Sequence, residues 1–217
     1  MTNIDLTDKT QEFYNKAATA YVARNFHRIR VEVLERFLDM LPGKDRVLDI
    51  GCSMGRDMMW LKAHGVKKVY GVDFAKGMIE LAKKYVEGEF QIADVTKGLS
   101  YADDFFDGVL CLGTLGNIPK DKAHDVVNEI YRVLKPKGVV VFTVKEGDRE
   151  YLEVTNKYGA EYMNLPRRMS LYYQADLKRL MQKAGLQVKE VKTFSDDNYT
   201  WVVGYGVKIS SKFKVKS

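Results

Sequence analysis

One stretch of ten residues constrains this chain more than any other. Residues 46–55 read Arg-Val-Leu-Asp-Ile-Gly-Cys-Ser-Met-Gly, a short apolar run that passes an aspartate and turns on two glycines into a helical pattern. A strand that leads through small residues into a helix presents backbone N–H groups and the positive end of the helix to a ligand. The stretch therefore predicts an α/β fold with a ligand site at the end of its first strand.

The spacing of the glycines narrows the class of ligand. A dinucleotide fingerprint G-x-G-x-x-G requires glycines at positions 51, 53 and 56, where this chain has Gly51, Ser53 and Arg56. The spacing found here is G-x-S-x-G, ending at Gly55, with Asp49 two residues before the first glycine. This register disfavours a dehydrogenase, and tight binding of NAD would contradict that interpretation.

Length and composition indicate one globular domain that is expected to be soluble. The chain has 217 residues, of which 46% are hydrophobic and 29% charged. Its sequence contains neither an apolar run near the roughly 20 residues of a membrane span nor the basic and apolar start of a secretion signal. Cys52 and Cys111 lack C-x-x-C spacing, so we expect reduced thiols in a cytoplasmic protein and no metal site.

The net charge of +6 raises the question of a nucleic-acid partner. Four lysines fall within the last ten residues, which contain no acid: Lys208, Lys212, Lys214 and Lys216. These last ten residues, which include the basic tail (210–217), are expected to be a solvated terminus, not an RNA-binding arm. Nucleic acid is therefore not favoured as a partner.

Apolar periodicity divides the chain into helices and strands. The first forty residues are predicted to be helical, with an apolar face at Phe26, Ile29, Val33, Phe37 and Leu41 that ends at Pro42-Gly43. Strands are predicted at 47–50, 68–72, 89–92, 106–112, 139–144, 186–194 and 200–209, and helices at 56–64, 76–85, 120–134 and 176–184. The alternation predicts a parallel sheet with helices on both faces. Only a turn joins the last two strands, so they must be antiparallel.

Several ordered motifs resemble those of the class I S-adenosylmethionine-dependent methyltransferases, in particular the methyltransferase type 11/25-like domain. The first is D-x-G-x-G-x-G, with Ser53 in place of the middle glycine. Residues 106–109, Phe-Asp-Gly-Val, resemble the F-D-x-V strand, and residues 134–138 resemble the L-K-P-G-G turn, with Lys137 in place of its first glycine. The resemblance runs from about residue 44 to the end. It implies a doubly wound, seven-stranded, mostly parallel sheet with an antiparallel last strand.

The resemblance also implies a cofactor, S-adenosylmethionine, and a role for the loop after the first strand. The backbone of Gly51, Cys52, Ser53 and Gly55 would pack against its methionyl part, and Asp49 would help to orient its amino group. Serine can replace glycine at position 53 if its φ is negative.

The ends of the second and third strands would hold the adenosine. Asp73 lies about twenty residues past the glycine loop, where a carboxylate accepts hydrogen bonds from ribose hydroxyls, although a helix N-cap is the alternative role. Phe74 and Met78 would cover the adenosine, or belong to the core. By resemblance Asp94 would accept a hydrogen bond from the adenine amino group, and the backbone N–H of Val95 would contact the ring.

The end of the fourth strand would line the cofactor near its reactive sulfonium, through Cys111 and Leu112. The residues that follow Leu112 are Gly-Thr-Leu, not the Asn-Pro-Pro-Tyr or Asp-Pro-Pro-Tyr of enzymes that methylate base amino groups. The three histidines give no clear catalytic candidate: His64 and His124 fall on outer helices, and His27 is a weak candidate. We assign no catalytic residue from the sequence.

Two segments outside the core pattern are expected to form the pocket of the methyl acceptor. Residues 14–21 resemble a Y-x-x-x-A-x-x-Y lead-in, in which Tyr14 and Tyr21 either reach over the cofactor or simply pack. Residues 146–173 form a long connection of the kind that serves as a lid. Its Arg167 and Arg168 would grip a carboxylate or phosphate, or be solvated.

The chain is thus expected to be one methyltransferase domain. Its parts are a helical cap (1–43), a cofactor-binding core (44–145), a lid (146–173), a C-terminal helix and hairpin (174–209) and the tail. The favoured function is methyl transfer to an N, O or C atom of a small molecule. The alternatives are an RNA or protein methyltransferase and a non-catalytic S-adenosylmethionine-binding protein. The sequence leaves the acceptor and the oligomeric state open.

Overall fold

The computed structural model describes residues 6–196 and 198–209. The helices in these ranges are α1 (Leu6–Lys16), α2 (Ala18–Asn25), α3 (Val31–Met40), α4 (Arg56–Ala63), α5 (Lys76–Tyr85), α6 (Lys120–Val133) and α7 (Gln174–Lys183). The strands are β1 (Arg46–Ile50), β2 (Lys68–Asp73), β3 (Glu89–Ile92), β4 (Phe106–Leu112), β5 (Leu134–Lys145), β6 (Glu150–Glu153), β7 (Arg167–Ser170), β8 (Leu186–Ser195) and β9 (Thr200–Lys208). None of the described helices combines the length and apolarity that crossing a bilayer requires.

Seven strands form one sheet in the order β3-β2-β1-β4-β5-β9-β8. Strands β1 to β5 pair in parallel, and β9 pairs antiparallel with both β5 and β8. The predicted seven-stranded, mostly parallel sheet with its antiparallel hairpin is confirmed. The strand order reverses at β1, which has β2 on one side and β4 on the other. Ligands of open α/β sheets bind at such a switch point, beyond the carboxyl ends of the strands.

The sheet separates two hydrophobic cores because successive side chains of a buried strand point to opposite faces. On one face Leu48 and Phe142 pack in a cluster with residues of α6 and α7. On the other face Val47 and Val141 pack in a cluster with residues of α3 and α4. Helices therefore cover both faces of the sheet, as the alternation of strands and helices predicted.

The N-terminal region differs from the single amphipathic pattern read from the sequence. Residues 26–30 are not helical, and Phe26 is 46% exposed. The apolar spacing from Phe26 to Leu41 therefore crosses a break between α2 and α3, and Phe26 does not belong to a buried face. Of the three helices described in this region, α3 packs on the sheet, through side chains that include Val33 and Phe37.

Strand β5 begins earlier than predicted. Leu134 already pairs with Phe106, and the register shifts before Gly108 pairs with Val139. The extra residues form a bulge in which Lys137 has a φ of +68°. A residue in the left-handed region at this place explains why the related sequence pattern has a glycine there.

The segment 146–173 contains a small antiparallel sheet that the sequence did not predict. Strand β6 pairs with β7, from Glu150 opposite Ser170 to Glu153 opposite Arg167. The backbone N–H of Arg168 donates to Thr10 Oγ1 at 3.0 Å, which joins β7 to α1. The connection between β5 and α7 is thus an ordered hairpin that packs on the N-terminal helices.

Lys208 corrects the expectation for the basic C-terminal residues. It ends β9, is 3% exposed, and donates to Asp104 Oδ1 at 2.6 Å and to the carbonyls of Tyr131 and Leu134 at 2.9 and 2.8 Å. Its ammonium satisfies carbonyls at the C-terminus of α6, which have no partners within the helix. The prediction that Lys208 belongs to a solvated tail is therefore wrong. Lys212, Lys214, Lys216 and the rest of 210–217 lie outside the described residues.

We expect Lys208→Met to lower the free energy of unfolding by about 2–4 kcal/mol. The substitution leaves buried carbonyls without their donor and removes the partner of a carboxylate. Lys189→Met, which replaces an exposed lysine in the same hairpin, should change stability by less than about 0.5 kcal/mol. Urea unfolding of the two variants measures the difference, and equal losses would contradict the capping role of Lys208.

Candidate functional site

A large cavity opens beyond the carboxyl ends of the central strands. Its wall includes most of the residues predicted to bind the cofactor: Tyr14, Tyr21, Gly51, Ser53, Asp73, Phe74, Met78, Asp94, Val95 and Leu112. Four other predicted residues do not line it: Asp49, Cys52, Gly55 and Cys111. The switch point of the sheet, the N-terminal helices and the hairpin β6–β7 therefore meet around one space.

The loop between β1 and α4 has three left-handed residues at alternate positions. The φ angles are +74° at Gly51, +52° at Ser53 and +82° at Gly55. The condition of a negative φ, under which serine was expected to replace glycine at position 53, is therefore not met. The left-handed region is open to a few non-glycine residues near this angle, so serine fits without a negative φ. The loop turns the backbone N–H of Ser53 toward Asp73 Oδ2, at 3.0 Å.

Gly51 and Gly55 are required for different contacts. A Cβ at Gly51 would lie 2.1 Å from Thr114 Oγ1, the hydroxyl that donates to the carbonyl of Ile50 at 2.7 Å. A Cβ at Gly55 would lie 2.7 Å from Val86 Cγ2, at the end of α5. Gly51 thus lets the loop after β4 close against the cavity, whereas Gly55 serves the packing of α4 on α5.

The other predicted residues that do not line the cavity point into the protein. Cys52 packs among the residues between the sheet and α4, and its sulfur would lie 2.8 Å from a Cβ at Gly71. Cys111 is fully buried in the core beneath α6 and α7. Both cysteines are free thiols, and burial raises the pKa of Cys111 to about 12. A nucleophilic role is therefore unfavourable for either of them.

Asp49 is also enclosed, at 3% exposure. Burial, together with the nearby carboxylates of Asp57 and Asp73, raises its pKa well above the usual range for an aspartate. The positive charge of Arg56 offsets part of this rise in the pKa of Asp49. Arg56 itself binds Asp57 through two hydrogen bonds at 2.8 and 2.9 Å. The remaining nitrogen of the Arg56 guanidinium, Nη1, donates to the carbonyl of Asn25 at 2.9 Å. This hydrogen bond joins the start of α4 to the end of α2.

Asp73 connects three elements at the centre of the cavity wall. Its Oδ2 accepts the Ser53 N–H, and its Oδ1 accepts the N–H of Ala75 at 2.9 Å, before α5. Burial raises the pKa of Asp73 to about 6, although these backbone donors oppose the shift. Each carboxylate oxygen can accept more than one hydrogen bond. Asp73 can therefore hold the loop and still accept bonds from ligand hydroxyls.

Asp94 lies at the end of the same wall, after β3. Its Oδ1 accepts the N–H and the hydroxyl of Thr96 at 3.0 and 2.7 Å, and its Oδ2 lies 3.4 Å from Lys97 Nζ. The carboxylate therefore caps the short helix 95–97. Apolar side chains of Phe74, Met78 and Val95 line the wall between the two aspartates. Phe74 lies two residues before the start of α5.

The N-terminal tyrosines meet the hairpin and the loop after β4. The hydroxyl of Tyr14 donates to Asn117 Oδ1 at 3.2 Å and accepts a hydrogen bond from Arg167 Nη1 at 3.3 Å. The rings of Tyr14 and Tyr21 lie 5.2 Å apart, and Tyr21 lies 5.2 Å from Tyr158 of the hairpin segment. These contacts close the cavity on the side that faces away from the sheet.

The two arginines of the hairpin are paired within it. Arg167 Nε donates to Glu153 Oε2 at 2.7 Å, and Arg168 forms an ion pair with Glu150, so each arginine of β7 binds a glutamate of β6. Arg167 is buried, at 7% exposure. The alternative in which these arginines are solvated is therefore wrong, because their carboxylate partners lie on a neighbouring strand that the sequence did not predict. The alternative in which they bind an anionic group of a ligand stays a prediction.

A group of residues from β5, β9 and the hairpin was missed by the sequence analysis. Lys145 ends β5 opposite Trp201, and Tyr199 comes just before β9. Lys157 Nζ donates to the Tyr199 hydroxyl at 2.7 Å. Burial alone would raise the pKa of Tyr199, but the Lys157 hydrogen bond and the Lys145 charge hold it below its usual value. All four line the cavity, and the position of Lys145 at a strand end was the available signal.

None of the three histidines lines the cavity. His27 is exposed after α2, and His64 is exposed with its ring stacked on Trp60 at 3.7 Å. His124 lies on α6 beside Asn128. Among the described residues, no cluster of histidine, cysteine and carboxylate side chains is arranged to hold a metal ion.

The donor set of this cavity fits a nucleoside with a charged tail. Carboxylates that accept hydrogen bonds lie at Asp73 and Asp94, with apolar side chains between them. Gly51 also lines the cavity, and as a glycine it places no side chain between the loop backbone and the space. Hydroxyl acceptors, a flat apolar wall and an open backbone suit the ribose, base and amino-acid parts of S-adenosylmethionine.

The comparison with known proteins leads to the same group. Residues 47–138 match the family described as the methyltransferase domain. The methyltransferase GfsG of Streptomyces halstedii is 29% identical over 178 residues, which are 78% of this chain and 62% of that protein. The ubiquinone biosynthesis O-methyltransferase of Neisseria meningitidis is 25% identical over 195 residues, which are 83% of this chain and 79% of that protein. The chain thus spans less than two thirds of GfsG.

A solved structure shows the same fold with a cofactor bound. The magnesium protoporphyrin IX methyltransferase of Synechocystis, solved with S-adenosylmethionine, superposes with a TM-score of 0.73 and 17% identity, over 96% of this chain and 99% of that one. The strand order, the loop at Gly51 and the family match over residues 47–138 all point to the same family of proteins. Residues 47–138 therefore belong to the methyltransferase domain family, and the chain has the fold of the class I S-adenosylmethionine-dependent methyltransferases, whose cofactor is S-adenosylmethionine.

Proposed function

We propose that this protein is an enzyme that transfers the methyl group of S-adenosylmethionine to an N, O or C atom of a small molecule. The observation that supports this best is the cover over the cavity. Tyr14 and Tyr21 of the N-terminal helices contact Arg167 and Tyr158 of the hairpin segment, directly above the end of the sheet. A cavity covered from two sides admits a small molecule more readily than a folded RNA or a protein surface.

We assign the side of the cavity next to β2 and β3 to the cofactor. Asp73 would accept hydrogen bonds from the ribose hydroxyls, and Phe74, Met78 and Val95 would enclose the base. Asp94 keeps one oxygen free of backbone contacts for an amino group of the base. The loop at Gly51 and Ser53 would face the methionyl part with its backbone. The opposite side, next to β5 and β9, is then left for the acceptor.

The chemistry of this reaction makes few demands on catalytic side chains. Bound S-adenosylmethionine supplies a methyl group that its sulfonium already activates for displacement. The residues of the cavity hold the acceptor in line and exclude water, and positioning of this kind contributes several kcal/mol. Tyr14 is held on both sides by Asn117 and Arg167. It is therefore a fixed wall between the two halves of the cavity.

Labelled cofactor tests the proposal. The protein is incubated with methyl-labelled S-adenosylmethionine and a small-molecule extract, an RNA pool or a protein extract, and the label is counted in each fraction. We expect transfer to the small-molecule fraction only. Transfer only to RNA or protein would contradict the small acceptor. Retained cofactor without transfer to any fraction would favour the non-catalytic alternative.

The pH dependence of cofactor binding follows from Asp73. Its pKa of about 6 describes the protein without ligand. Ribose hydroxyls donate to the ionised carboxylate, so the complex holds fewer protons than the free protein near this pH. Affinity for S-adenosylhomocysteine is therefore expected to fall as the pH drops through about 6, and to level off above about 7.

Calorimetric titration between pH 5 and 8 measures this dependence. Asp73→Asn should remove the decline near pH 6, because the amide does not titrate. A wild-type affinity that stays constant over this range would contradict the contact between Asp73 and the ribose.

A further inference from the structure

Beyond the cofactor side, the lining of the cavity includes a group of basic side chains. Lys145, Lys157 and Arg167 line the half next to β5 and the hairpin, together with Tyr199. We call these four residues the cationic cluster. Its members come from β5, the hairpin segment and the turn before β9, so the fold brings them together from distant parts of the chain.

Lys145 is the least compensated member of the cationic cluster. Its Nζ is buried and makes no hydrogen bond with any residue in the described ranges. It lies 3.5 Å from the centre of the Tyr199 ring, a cation–π contact that leaves its N–H donors without an acceptor. Burial lowers the pKa of Lys145, which agrees with a shortage of compensating charge.

The nearby carboxylate is already bound by the other buried cation. Glu153 accepts from Arg167 Nε at 2.7 Å. The acidic side chains in the described lining of the cavity are Asp73 and Asp94, and both belong to the opposite side. Lys157 donates to the Tyr199 hydroxyl and to no carboxylate in the described contacts. The acceptor half therefore has an excess of positive charge.

Aromatic side chains line the cavity together with Lys145. The Trp201 ring is fixed by Arg30, whose guanidinium carbon lies 4.2 Å from the ring centre, and by its own Nε1, which donates to Asp196 at 2.8 Å. Tyr158 and Met169 complete this half of the lining. A fixed indole and a tyrosine ring suit a planar body better than a flexible chain.

We propose that the acceptor half binds a small planar molecule through an anionic group, carboxylate or phosphate, that contacts Lys145. This inference rests on the proposed function and names the class of its acceptor. A bound anion supplies the hydrogen-bond acceptor that the Lys145 ammonium lacks. It also balances the positive charge of the cationic cluster, which is costly to bury without a counter-charge. A neutral molecule of the same shape would leave the ammonium without a partner.

Three probes of nearly identical shape test the charge preference. Benzoate is negative, benzamide is neutral and benzamidine is positive at pH 7.5. Each is titrated into protein saturated with S-adenosylhomocysteine, in buffer of low ionic strength without phosphate. We expect benzoate to bind about tenfold to 100-fold more tightly than benzamide, and benzamidine to bind most weakly. Phenyl phosphate then distinguishes a phosphate site from a carboxylate site.

Substitution locates the preference. Lys145→Met should reduce the benzoate-to-benzamide ratio to below about threefold, whereas Lys183→Met, an exposed lysine of α7, should leave it unchanged. Thermal unfolding and binding of S-adenosylhomocysteine confirm that both variants are folded. The wild-type ratio tests the proposal even if Lys145→Met does not fold.

The outcomes separate this inference from the proposed function. Equal binding of benzoate and benzamide, or no binding of any probe at millimolar concentration, would overturn the anion site and leave the methyltransferase assignment untouched. A preference that persists in Lys145→Met would also overturn it. Failure of the wild-type protein to bind S-adenosylhomocysteine would instead contradict the assignment of the cofactor half.

Discussion

Asp73→Asn is expected to weaken the binding of S-adenosylhomocysteine by about 100-fold or more. The carboxylate can accept two charge-assisted hydrogen bonds from a ribose, each worth about 1.5–3 kcal/mol. It also accepts the N–H groups of Ser53 and Ala75, which set the loop and the start of α5. An amide has only one accepting oxygen, so the substitution removes ligand contacts and loosens the loop.

The loss of affinity should exceed the loss of stability. Burial already makes the charge of Asp73 unfavourable, as its raised pKa of about 6 indicates. Removing that charge offsets part of the lost backbone hydrogen bonding, so we expect the unfolding free energy to change by less than about 1.5 kcal/mol. Asp125→Asn, on the exposed face of α6, is the matched control. Wild-type affinity in Asp73→Asn, measured by calorimetry, would rule out the ribose contact.

Gly51→Ala is expected to destabilise the protein by about 3 kcal/mol or more. The new Cβ would lie 2.1 Å from Thr114 Oγ1, so the threonine must move and lose its 2.7 Å hydrogen bond to the carbonyl of Ile50. Its φ of +74° adds the strain of a left-handed residue with a side chain. Clash, lost bond and backbone strain act together on the loop that faces the cavity.

Gly113→Ala separates the strain from the clash. Gly113 has a φ of +75°, almost the same as Gly51, but a Cβ there would meet nothing within 4 Å. We expect this variant to lose only about 1–2 kcal/mol. Urea unfolding of both variants gives the difference. Equal losses would show that the packing against Thr114 contributes little, and that Gly51 is required for its backbone angle alone.

The sequence predicted the positions of the seven strands of the main sheet well because parallel strands are short, apolar and flanked by helical periodicity. Strands β3 and β4 and helix α5 were predicted with the bounds that the structure has. The failures occur where distant contacts decide. Lys208 was read as solvated because its partners, Asp104 and the end of α6, lie more than seventy residues away. Phe26 was read as buried because helical spacing continues across a break.

The sequence predicted the parts of the candidate site that follow the ends of strands. It did not predict on which face of the sheet a given side chain lies. The loop at Gly51 and the positions of Asp73 and Asp94 follow from the rule that ligands bind at the carboxyl ends of strands. The same rule placed Cys111 at the site, but its side chain points to the opposite core. Lys145 obeys the rule as well, although the sequence gives no motif for it.

The two departures from the family pattern have one physical explanation. Ser53 and Lys137 each stand where the pattern has glycine, and each keeps a positive φ, of +52° and +68°. Both values lie in the small left-handed region that side chains tolerate. The backbone is therefore preserved although the glycine is not.

The most direct test of the whole account is a crystal structure of the protein with S-adenosylhomocysteine. We expect both ribose hydroxyls within hydrogen-bond distance of Asp73, the base beside Val95, and the sulfur facing the half of the cavity that Lys145 and Tyr199 line. A ligand with its ribose away from Asp73, or with its sulfur turned away from Lys145, would contradict the division of the cavity into a cofactor half and an acceptor half.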